Sequence, residues 1–367
     1  MRNKTKLLEF VSENHGLKSL EETVIVGCQH LLNGNYEMIK QLQKNGLKPK
    51  NVFLIGKSYS SNSEIMKQFK EFGVHMHNYE YNSHMPFDQL FDEEISIFLD
   101  KVNNSRELKN ARKVVCIDDG GGILSRIHNL DHKQITGVEQ TSSGYHKLKN
   151  YNKIPILNIA RSHAKLTYET PHIVDCFLTH LQKHIKKLGM NPQKALIMGR
   201  GVIGSEIQRK LPLDSFVYEG GSINNEELSS IISEHDLIIG ASGNTSIPFT
   251  HHDQIKKGTI LASISSSDRE FDAVYMRKKH PITNDPHKNY NYNGTYLLNG
   301  GFPINFDGNS TSVPTRYIQL THALMMEGIF ESMRLNKVGM YHLPRTKQET
   351  IVNKFKDIVH IYFYLSR

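Results

Sequence analysis

A short apolar run leads into a glycine pattern in the segment Lys194-Ala195-Leu196-Ile197-Met198-Gly199-Arg200-Gly201-Val202-Ile203-Gly204. The residues that follow, 205–211, have the composition of a helix. A strand, a G-x-G-x-x-G turn and a helix in this order form the fingerprint of dinucleotide-binding sites. There the first glycine allows the tight turn, the second lets the backbone approach a pyrophosphate, and the third lets the helix pack on the strand. The helix N-terminus offers the phosphates unpaired N–H groups and its positive dipole end.

An acidic residue follows the next predicted strand. Residues 215–218 are suited to a strand, and Glu219 comes at about the spacing expected of the carboxylate that accepts the ribose hydroxyls of NAD. A glycine pattern alone also occurs in ordinary tight turns between a strand and a helix. The strand–turn–helix context together with Glu219 favours NAD over that alternative.

Length and composition describe an α/β protein. The chain has 367 residues, enough for two domains of ~100–200 residues each, and 38% of them are hydrophobic. No uninterrupted apolar run reaches the ~18–20 residues that cross a bilayer, and no apolar signal core follows the basic N-terminus. The three cysteines are scattered, which fits a reducing compartment. We therefore expect a cytoplasmic protein without a membrane partner.

Charge and histidine content exclude two further classes. The net charge is +8, but lysine and arginine are spread along the whole chain, whereas nucleic-acid-binding proteins concentrate them in a patch. The twenty histidines include no H-E-x-x-H motif and there is no CxxC pair, so we predict neither a nucleic-acid partner nor a metal site. The pairs His75/His77 and His251/His252 are expected at the surface.

Strand-like and helix-like runs alternate along the chain, which indicates parallel sheets with right-handed crossovers. Strands are predicted at 23–26, 51–56, 74–77, 113–117, 155–160, 237–240 and 259–264, long helices at 172–188 and 316–332, and a loop or hairpin at 284–294. The segment after Gly339 is expected to be shorter than the helix at 316–332. We predict two domains with a cleft between them. A substrate-binding α/β domain comprises 1–174, completed by about 316–367, and a Rossmann NAD-binding domain comprises 190–313.

Polar residues at the ends of these strands are candidate site residues, because the carboxyl ends of parallel strands face the ligand crevice. Asp118 and Asp119 follow the strand at 113–117, although a solvated Asp-Gly turn is the alternative there. Lys165 and Glu169 are four residues apart and face each other if their segment is helical. The alternative for this pair is an exposed ion pair of small energetic value.

Taken in order, these loops resemble the S-adenosylhomocysteine hydrolase family over roughly residues 20–345. The matching blocks are Gly27-Cys28-Gln29-His30, Asp118-Asp119-Gly120-Gly121, Glu139-Gln140-Thr141-Ser142-Ser143-Gly144, Ser162-His163-Ala164-Lys165, the glycine pattern, Gly240-Ala241-Ser242-Gly243, Leu297-Leu298-Asn299-Gly300-Gly301-Phe302-Pro303-Ile304-Asn305 and Val338-Gly339-Met340-Tyr341-His342-Leu343-Pro344. The resemblance implies a chemistry in which NAD oxidises the ribose 3′ carbon, the neighbouring 4′ proton becomes acidic, the 5′ thioether is eliminated and water adds.

Carried over position by position, the resemblance implies roles for individual residues. Lys165 would lie near the oxidised 3′ carbon, Asp119 near the ribose and His30 on the leaving-group side, with Glu169 as a fourth catalytic residue. The implied substrate contacts are Gln140, Thr141 and Thr170. The implied cofactor contacts are Gly199, Gly201, Val202, Ile203, Gly204, Glu219, Ser242, Gly243 and Asn305.

Several positions depart from the family. Gln140 stands where a second ribose carboxylate is expected. Ser266 and Val313 stand at positions where the family has histidine, near the 5′ position and on the adenine side respectively. A serine cannot replace an imidazole that titrates near neutral pH. The resemblance implies a homo-oligomer. The family's tail, which reaches a neighbouring subunit, has no counterpart before Arg367, and this weakens the expectation.

Three hypotheses remain open at this point. The chain is an NAD-dependent enzyme acting on S-adenosylhomocysteine or a related nucleoside, or a catalytically degenerate paralogue that binds NAD and a nucleoside and has a regulatory role. The third hypothesis is a two-domain NAD-dependent dehydrogenase, which the ordered blocks of the first half argue against.

Overall fold

A computed structural model describes residues 5–218 and 225–365, with the side chains of residue 225 and of 360–365 left out. Its strands are β1 Thr23–Leu31, β2 Val52–Ser61, β3 His75–His77, β4 Lys113–Asp118, β5 Ile135–Glu139, β6 Pro155–Asn158, β7 Lys194–Met198, β8 Asp214–Tyr218, β9 Leu237–Gly240, β10 Ile260–Ser263, β11 Tyr290–Tyr292, β12 Thr295–Leu297 and β13 Gly339–His342. Its helices are α1 Lys6–Glu13, α2 Asn33–Gln43, α3 Ser63–Phe72, α4 Phe87–Asn103, α5 Arg106–Lys109, α6 Ser142–Leu148, α7 His163–Tyr168, α8 Thr170–Leu188, α9 Val202–Lys210, α10 Asn225–Ser233, α11 Ala273–Arg277, α12 Thr315–Ser332 and α13 Arg345–Leu365.

The chain divides into two compact units. The first unit comprises Met1–Tyr79, Asp92–Glu169 and Val313–Arg367, and the second comprises Glu80–Phe91 and Thr170–Ser312. Each unit contains its own sheet, which confirms the predicted α/β class.

The first unit is built on a parallel sheet of seven strands in the order β13-β6-β5-β4-β1-β2-β3. In chain order these strands run 3-2-1-4-5-6, with β13 added beside β6, which is the order of a Rossmann fold. Apolar residues of α1, α2, α12 and α13, including Leu8, Ile39, Leu324 and Phe355, form one core with the sheet. The switch point of this sheet lies between β1 and β4, where the chain turns to opposite sides.

The second unit is built on a six-stranded sheet in the order β11-β12-β10-β9-β7-β8. All pairs in it are parallel except the β11–β12 hairpin. Alternate residues of β7 enter two cores, Ala195 and Ile197 with α8 and α9, and Leu196 and Met198 with α10. The switch point of this sheet lies between β7 and β9.

The second unit includes the segment Glu80–Phe91, which the predicted boundaries assign to the first domain. The physical reason is the fully buried guanidinium of Arg277. It donates to the carbonyls of Ser83 and Met85 in that segment, at 2.8 and 3.3 Å, and to Gly300 O and Asp268 Oδ2. A buried arginine needs an acceptor for each donor, so these carbonyls hold the segment on the unit.

The expectation of surface histidines was wrong at three of the four positions. His77, His251 and His252 are buried, and only His75 is exposed. His77 Nε2 lies 2.7 Å from a carboxylate oxygen of Glu94, and His252 Nε2 lies 2.8 Å from a backbone carbonyl. Each partner satisfies the Nε2 atom of its ring and so lowers the cost of burial, while Nδ1 of His252 has no hydrogen-bond partner among the described residues.

Candidate functional site

The switch point of the first sheet carries a buried polar group that we call the Asp119 cluster, comprising His30, Lys57, Asp119 and Gln140. Oδ1 of Asp119 is ion-paired with Nζ of Lys57. Its Oδ2 lies 3.1 Å from Nε2 of His30 and also accepts from the amide of Gln140. The sheet brings these residues together: His30 and Lys57 lie in β1 and β2, and Asp119 and Gln140 directly follow β4 and β5. Asp119 is 4% exposed, so the alternative of a solvated Asp-Gly turn does not hold.

Electrostatics in the Asp119 cluster are dominated by its ion pair. Burial alone would raise the pKa of Asp119, but the Lys57 ammonium and His30 outweigh it and hold that pKa well below its usual range. Burial alone would lower the pKa of Lys57, but Asp119 raises it well above the usual value. Both groups therefore stay charged around neutral pH.

Two further carboxyl groups lie behind the cluster and organise its loops. Glu139 accepts from the N–H groups of Gly120, Gly121 and Thr141 and from the Thr141 hydroxyl. Asp118 accepts from the N–H groups of Asp119 and Leu124. Burial raises the pKa of Asp118 to about 6 and that of Glu139 to about 8.

The Thr141 hydroxyl, implied as a substrate contact, also caps α6. It accepts from the N–H of Gly144 at 3.0 Å while donating to Glu139. Both contacts hold the loop that carries Gln140.

Lys165 and Glu169 form a buried pair. Their segment is helical, with the Ser162 hydroxyl capping α7, so the spacing of four residues brings Lys165 Nζ within 3.1 Å of Glu169 Oε2. The side chains are 16% and 7% exposed, which excludes the exposed ion pair considered from sequence. The other oxygen of Glu169 accepts from the Thr321 hydroxyl on α12. Thr170, also implied as a substrate contact, is buried at the start of α8 and belongs to the second unit.

Unpaired polar atoms lie close to His30. Both amide atoms of Gln29, Oδ1 of Asn35 and Nδ1 of His322 are buried and find no hydrogen-bond partner among the described residues. Asn35 is bonded to the carbonyl of His30. The ring of His322 packs on Gly34, where a Cβ would lie 2.3 Å from its Cε1. Each unpaired buried group costs about 1–3 kcal/mol, so this region is suited to a polar ligand or water that supplies the partners.

His322 is a neutral side chain in the folded protein. Burial lowers its pKa to about 3, and the neighbouring Lys165 and His30 act in the same direction. Its unpaired nitrogen can therefore donate or accept one hydrogen bond, depending on the tautomer.

The glycine turn lies at the switch point of the second sheet, between β7 and α9. Gly199 has φ +125°, and a Cβ there would meet Ala241 O at 2.7 Å. A Cβ at Gly204 would lie 1.9 Å from Gly199 O, so the helix can approach the turn only with glycine. A Cβ at Gly201 would meet no described atom within 4 Å. The first and third glycines are thus needed for packing, whereas the second leaves space open above the turn.

Val202 and Ile203 begin α9 directly after this open space, with Gly201 as the N-cap. The first N–H groups of a helix have no acceptor within the helix and point outward along its axis. Glu219, the implied ribose contact, lies outside the described residues.

The loop after β9 is held by a carboxylate that the sequence analysis did not identify. Glu270 is fully buried and accepts from the N–H of Gly243 at 2.6 Å and from the hydroxyls of Ser242 and Ser246. Burial raises the pKa of Glu270, and the hydrogen bonds from these groups oppose the increase. Ser242 and Gly243 are therefore positioned by Glu270 on the lip of the switch point.

Asn305 is the implied cofactor contact with the clearest signature in the structure. It is 6% exposed, and its Oδ1 has no hydrogen-bond partner among the described residues. Of the two positions where the family has histidine, Ser266 is partly buried and Val313 is buried.

Sequence reasoning did not identify Lys57, Glu270 or His322 as site residues. Lys57 offered one signal, because it directly follows the apolar residues of β2, and a lysine that is buried with them needs an anionic partner. Glu270 and His322 reach the switch points through tertiary contacts, for which the local sequence carries no comparable signal.

Comparisons with known proteins give distant likenesses. No protein family model matches the chain. Two uncharacterized proteins from two strains of Mycobacterium tuberculosis are each 34% identical over 327 residues, covering 85% of this chain. The chain spans 64% of the length of these curated relatives.

Among solved structures, the A chain of dipicolinate synthase from Bacillus subtilis matches 72% of this chain and 87% of its own, at 11% identity and a TM-score of 0.37. The bifunctional methylenetetrahydrofolate dehydrogenase/cyclohydrolase FolD from Campylobacter jejuni matches 90% of this chain and 95% of its own, at 14% identity and a TM-score of 0.26. Both TM-scores lie below 0.5, so the function proposed below rests on the loops and contacts described above.

Two classes of feature are absent from the described residues. No helix among them is both long and apolar enough to span a bilayer. In the same part of the chain, no group of three histidine, cysteine, aspartate or glutamate side chains could hold a metal ion.

Proposed function

We propose that the chain is an NAD-dependent enzyme of the S-adenosylhomocysteine hydrolase type, acting on S-adenosylhomocysteine or a related nucleoside. The observation that carries this proposal is the buried Asp119 cluster at the first switch point, close to four unpaired polar atoms, with the Lys165–Glu169 pair in the same unit. The residues carried over from the family, namely His30, Asp119, Lys165 and Glu169, are all buried or half-buried.

The residues of the second switch point fit a dinucleotide. The space above Gly201 admits a pyrophosphate, and the first N–H groups of α9 can donate to it. Asn305 Oδ1 has no donor among the described residues, and a carboxamide N–H of the cofactor could donate to it. When bound, NAD would supply the transient oxidation of the ribose 3′ carbon.

The chain's own residues would hold the nucleoside and manage its protons. Lys165 Nζ is oriented by Glu169, which is itself fixed by Thr321, so the lysine is held in one position for a substrate hydroxyl. His30 is oriented in the same way by Asp119. The unpaired atoms of Gln29 and Asn35 offer a donor and two acceptors to the polar edge of a base.

The test is to mix the NAD-loaded protein with adenosine or S-adenosylhomocysteine and to follow the absorbance of NADH. We expect transient reduction of NAD, which Lys165→Ala abolishes while NAD stays bound. Lys347→Ala is the matched control, since Lys347 also pairs with a buried carboxylate of the first unit, Glu327 at 2.8 Å. If Lys165→Ala reduced NAD as the wild type does, Lys165 would not have the assigned role.

A catalytically degenerate paralogue that binds NAD and a nucleoside is the second candidate. Two observations favour it: Ser266 replaces an imidazole, and both oxygens of Asp119 are already occupied by neighbouring side chains. This candidate predicts NAD binding without reduction by any ribonucleoside, and NADH formation in the same assay excludes it.

A further inference from the structure

Lys57 is a buried charge for which the proposed function has no role. It lies within β2 and is 5% exposed, among side chains such as Tyr59 that are also buried. Its ammonium reaches the carboxylate of Asp119 across 62 positions of sequence. An unpaired buried ammonium is strongly unfavourable, so this pairing is a condition for the lysine to be accommodated.

The Lys57 contact restricts what Asp119 can do. One oxygen of Asp119 is held by Lys57, and the other receives the Gln140 amide and faces His30. Three donors on one carboxylate stabilise its anionic form and oppose the uptake of a proton. Asp119 is therefore suited to act as a fixed negative charge and poorly suited to act as a base.

His30 differs from Asp119 in its exposure to solvent. Its Nε2 faces Asp119 at 3.1 Å, and its Nδ1 lies 2.6 Å from the Ser60 hydroxyl. The side chain is 21% exposed, so protons can reach it from solvent. An imidazole is the side chain whose ordinary titration falls near neutral pH.

We propose that Lys57 is a positioning residue that fixes Asp119 as an anion and leaves His30 as the group that binds and releases the proton at this site. The inference rests on the proposed function for the identity of the substrate, but its test needs neither substrate nor cofactor.

Several other charged or titratable groups surround His30. Asp119 follows β4 and favours the imidazolium, while Lys57 on β2 disfavours it. Asp118 and Glu139 lie behind Asp119 and act on it as negative or partly protonated groups. From α12, His322 is neutral, and the charge of Lys165 is balanced by Glu169. Removal of the Lys57 charge leaves the Asp119 carboxylate, which faces His30, without its counter-ion.

The experiment measures the reactivity of His30 with diethylpyrocarbonate in the full-length protein as a function of pH. The reagent modifies neutral imidazole, and peptide mass spectrometry resolves His30 from the other histidines. Lys57 and His30 contact the two oxygens of one carboxylate, so at an effective dielectric constant of about 20 the removal of the lysine charge shifts the midpoint by more than about one pH unit. We therefore expect Lys57→Met to raise the midpoint by at least about one pH unit, because Asp119 then acts on His30 alone.

Two variants serve as controls. Lys57→Arg keeps the charge, and Lys347→Met removes a lysine paired with Glu327 elsewhere in the first unit. We expect both to keep the wild-type midpoint. An unchanged midpoint in Lys57→Met, or an equal shift in Lys347→Met, overturns the proposal.

The double variant Lys57→Met, Asp119→Asn covers the case in which Lys57→Met does not fold, since it leaves no unpaired buried charge. The two charges act on His30 in opposite directions, so the proposal predicts a midpoint near that of the wild type. If Lys57 had no influence on His30, loss of the Asp119 anion would lower the midpoint by more than about one pH unit. That result overturns the proposal, whereas failure of the NADH assay affects only the proposed function.

Discussion

Substitution of two glycines in the same turn should have different effects: Gly204→Ala should lower the stability of the fold, and Gly201→Ser should lower the affinity for NAD. A Cβ at Gly204 would lie 1.9 Å from Gly199 O, whereas ordinary contact begins at 3.4 Å, so Gly204→Ala requires a displacement of 3.4 − 1.9 = 1.5 Å. Overpacking in a well-packed region costs about 1–3 kcal/mol, and a clash with backbone lies at the upper end. At about 2–4 °C per kcal/mol for a unit of this size, the midpoint of its thermal unfolding should fall by about 6–12 °C.

Gly201 is the matched position for this comparison. Its φ is −73°, in the region that other residues adopt, and a Cβ there would meet no described atom within 4 Å. Serine is a good N-cap, so Gly201→Ser should change the unfolding free energy by less than about 1 kcal/mol. Its side chain would occupy the space that a pyrophosphate requires, so the affinity for NAD should fall by at least about tenfold, equivalent to about 1.4 kcal/mol.

Differential scanning calorimetry and titration with NAD distinguish these outcomes. The reasoning is refuted if Gly201→Ser unfolds at as low a temperature as Gly204→Ala. It is equally refuted if Gly201→Ser binds NAD as tightly as the wild type, because the open space would then have no role in binding.

Three further predictions concern buried polar groups. Arg277→Met leaves Asp268 unpaired and should lower the unfolding free energy of the second unit by about 3–5 kcal/mol, measured by chemical denaturation. Because the pKa of His322 is lowered from 6.5 to about 3, the unfolded chain takes up its proton first, and stability should fall as pH falls below 6.5. His322→Gln should abolish this loss, worth about 2 kcal/mol at pH 5, whereas the exposed control His163→Gln should retain it. Asn305→Leu should leave the thermal midpoint of the cofactor-free protein unchanged or higher, but should reduce the rise in midpoint on adding NAD; an unchanged rise would show that Asn305 does not contact the cofactor.

The sequence was most informative where the structural requirement is local. The glycine turn needs a residue without a side chain at Gly199 and Gly204, and that requirement is visible in the pattern itself. A loop or hairpin was expected at 284–294, and the structure has a hairpin that turns at Asn293 and Gly294, both at positive φ, as the Asn-Gly pair favours. Likewise, the placement of Asp119 and His30 follows from parallel strands that end at one edge of a sheet.

The sequence was least informative where a contact joins distant segments. Arg277 attaches residues 80–91 to the second unit by bonds to carbonyls, and a backbone carbonyl has no signature in the sequence. The same applies to Glu270, whose partners are hydroxyls and one N–H group. The segment after Gly339 was expected to be shorter than the helix before it, yet α13 has 21 residues against 18 in α12. It packs Ile351, Val352 and Phe355 into the first core. That helix depends on tertiary packing more than on its own propensity.

Gln140 shows how a contact that the sequence does not reveal changes the interpretation of a departure from the family. From sequence, an amide in place of a carboxylate reads as the loss of a charge from the ribose site. In the structure that amide donates to Asp119, whose other oxygen is paired with Lys57. A carboxylate at position 140 would face Asp119 at hydrogen-bond distance, beside the buried Glu139, and two such anions repel unless one is protonated. Residues 57, 119 and 140 therefore form one set, in which the lysine keeps the aspartate charged and an amide suits that charge better than an acid would.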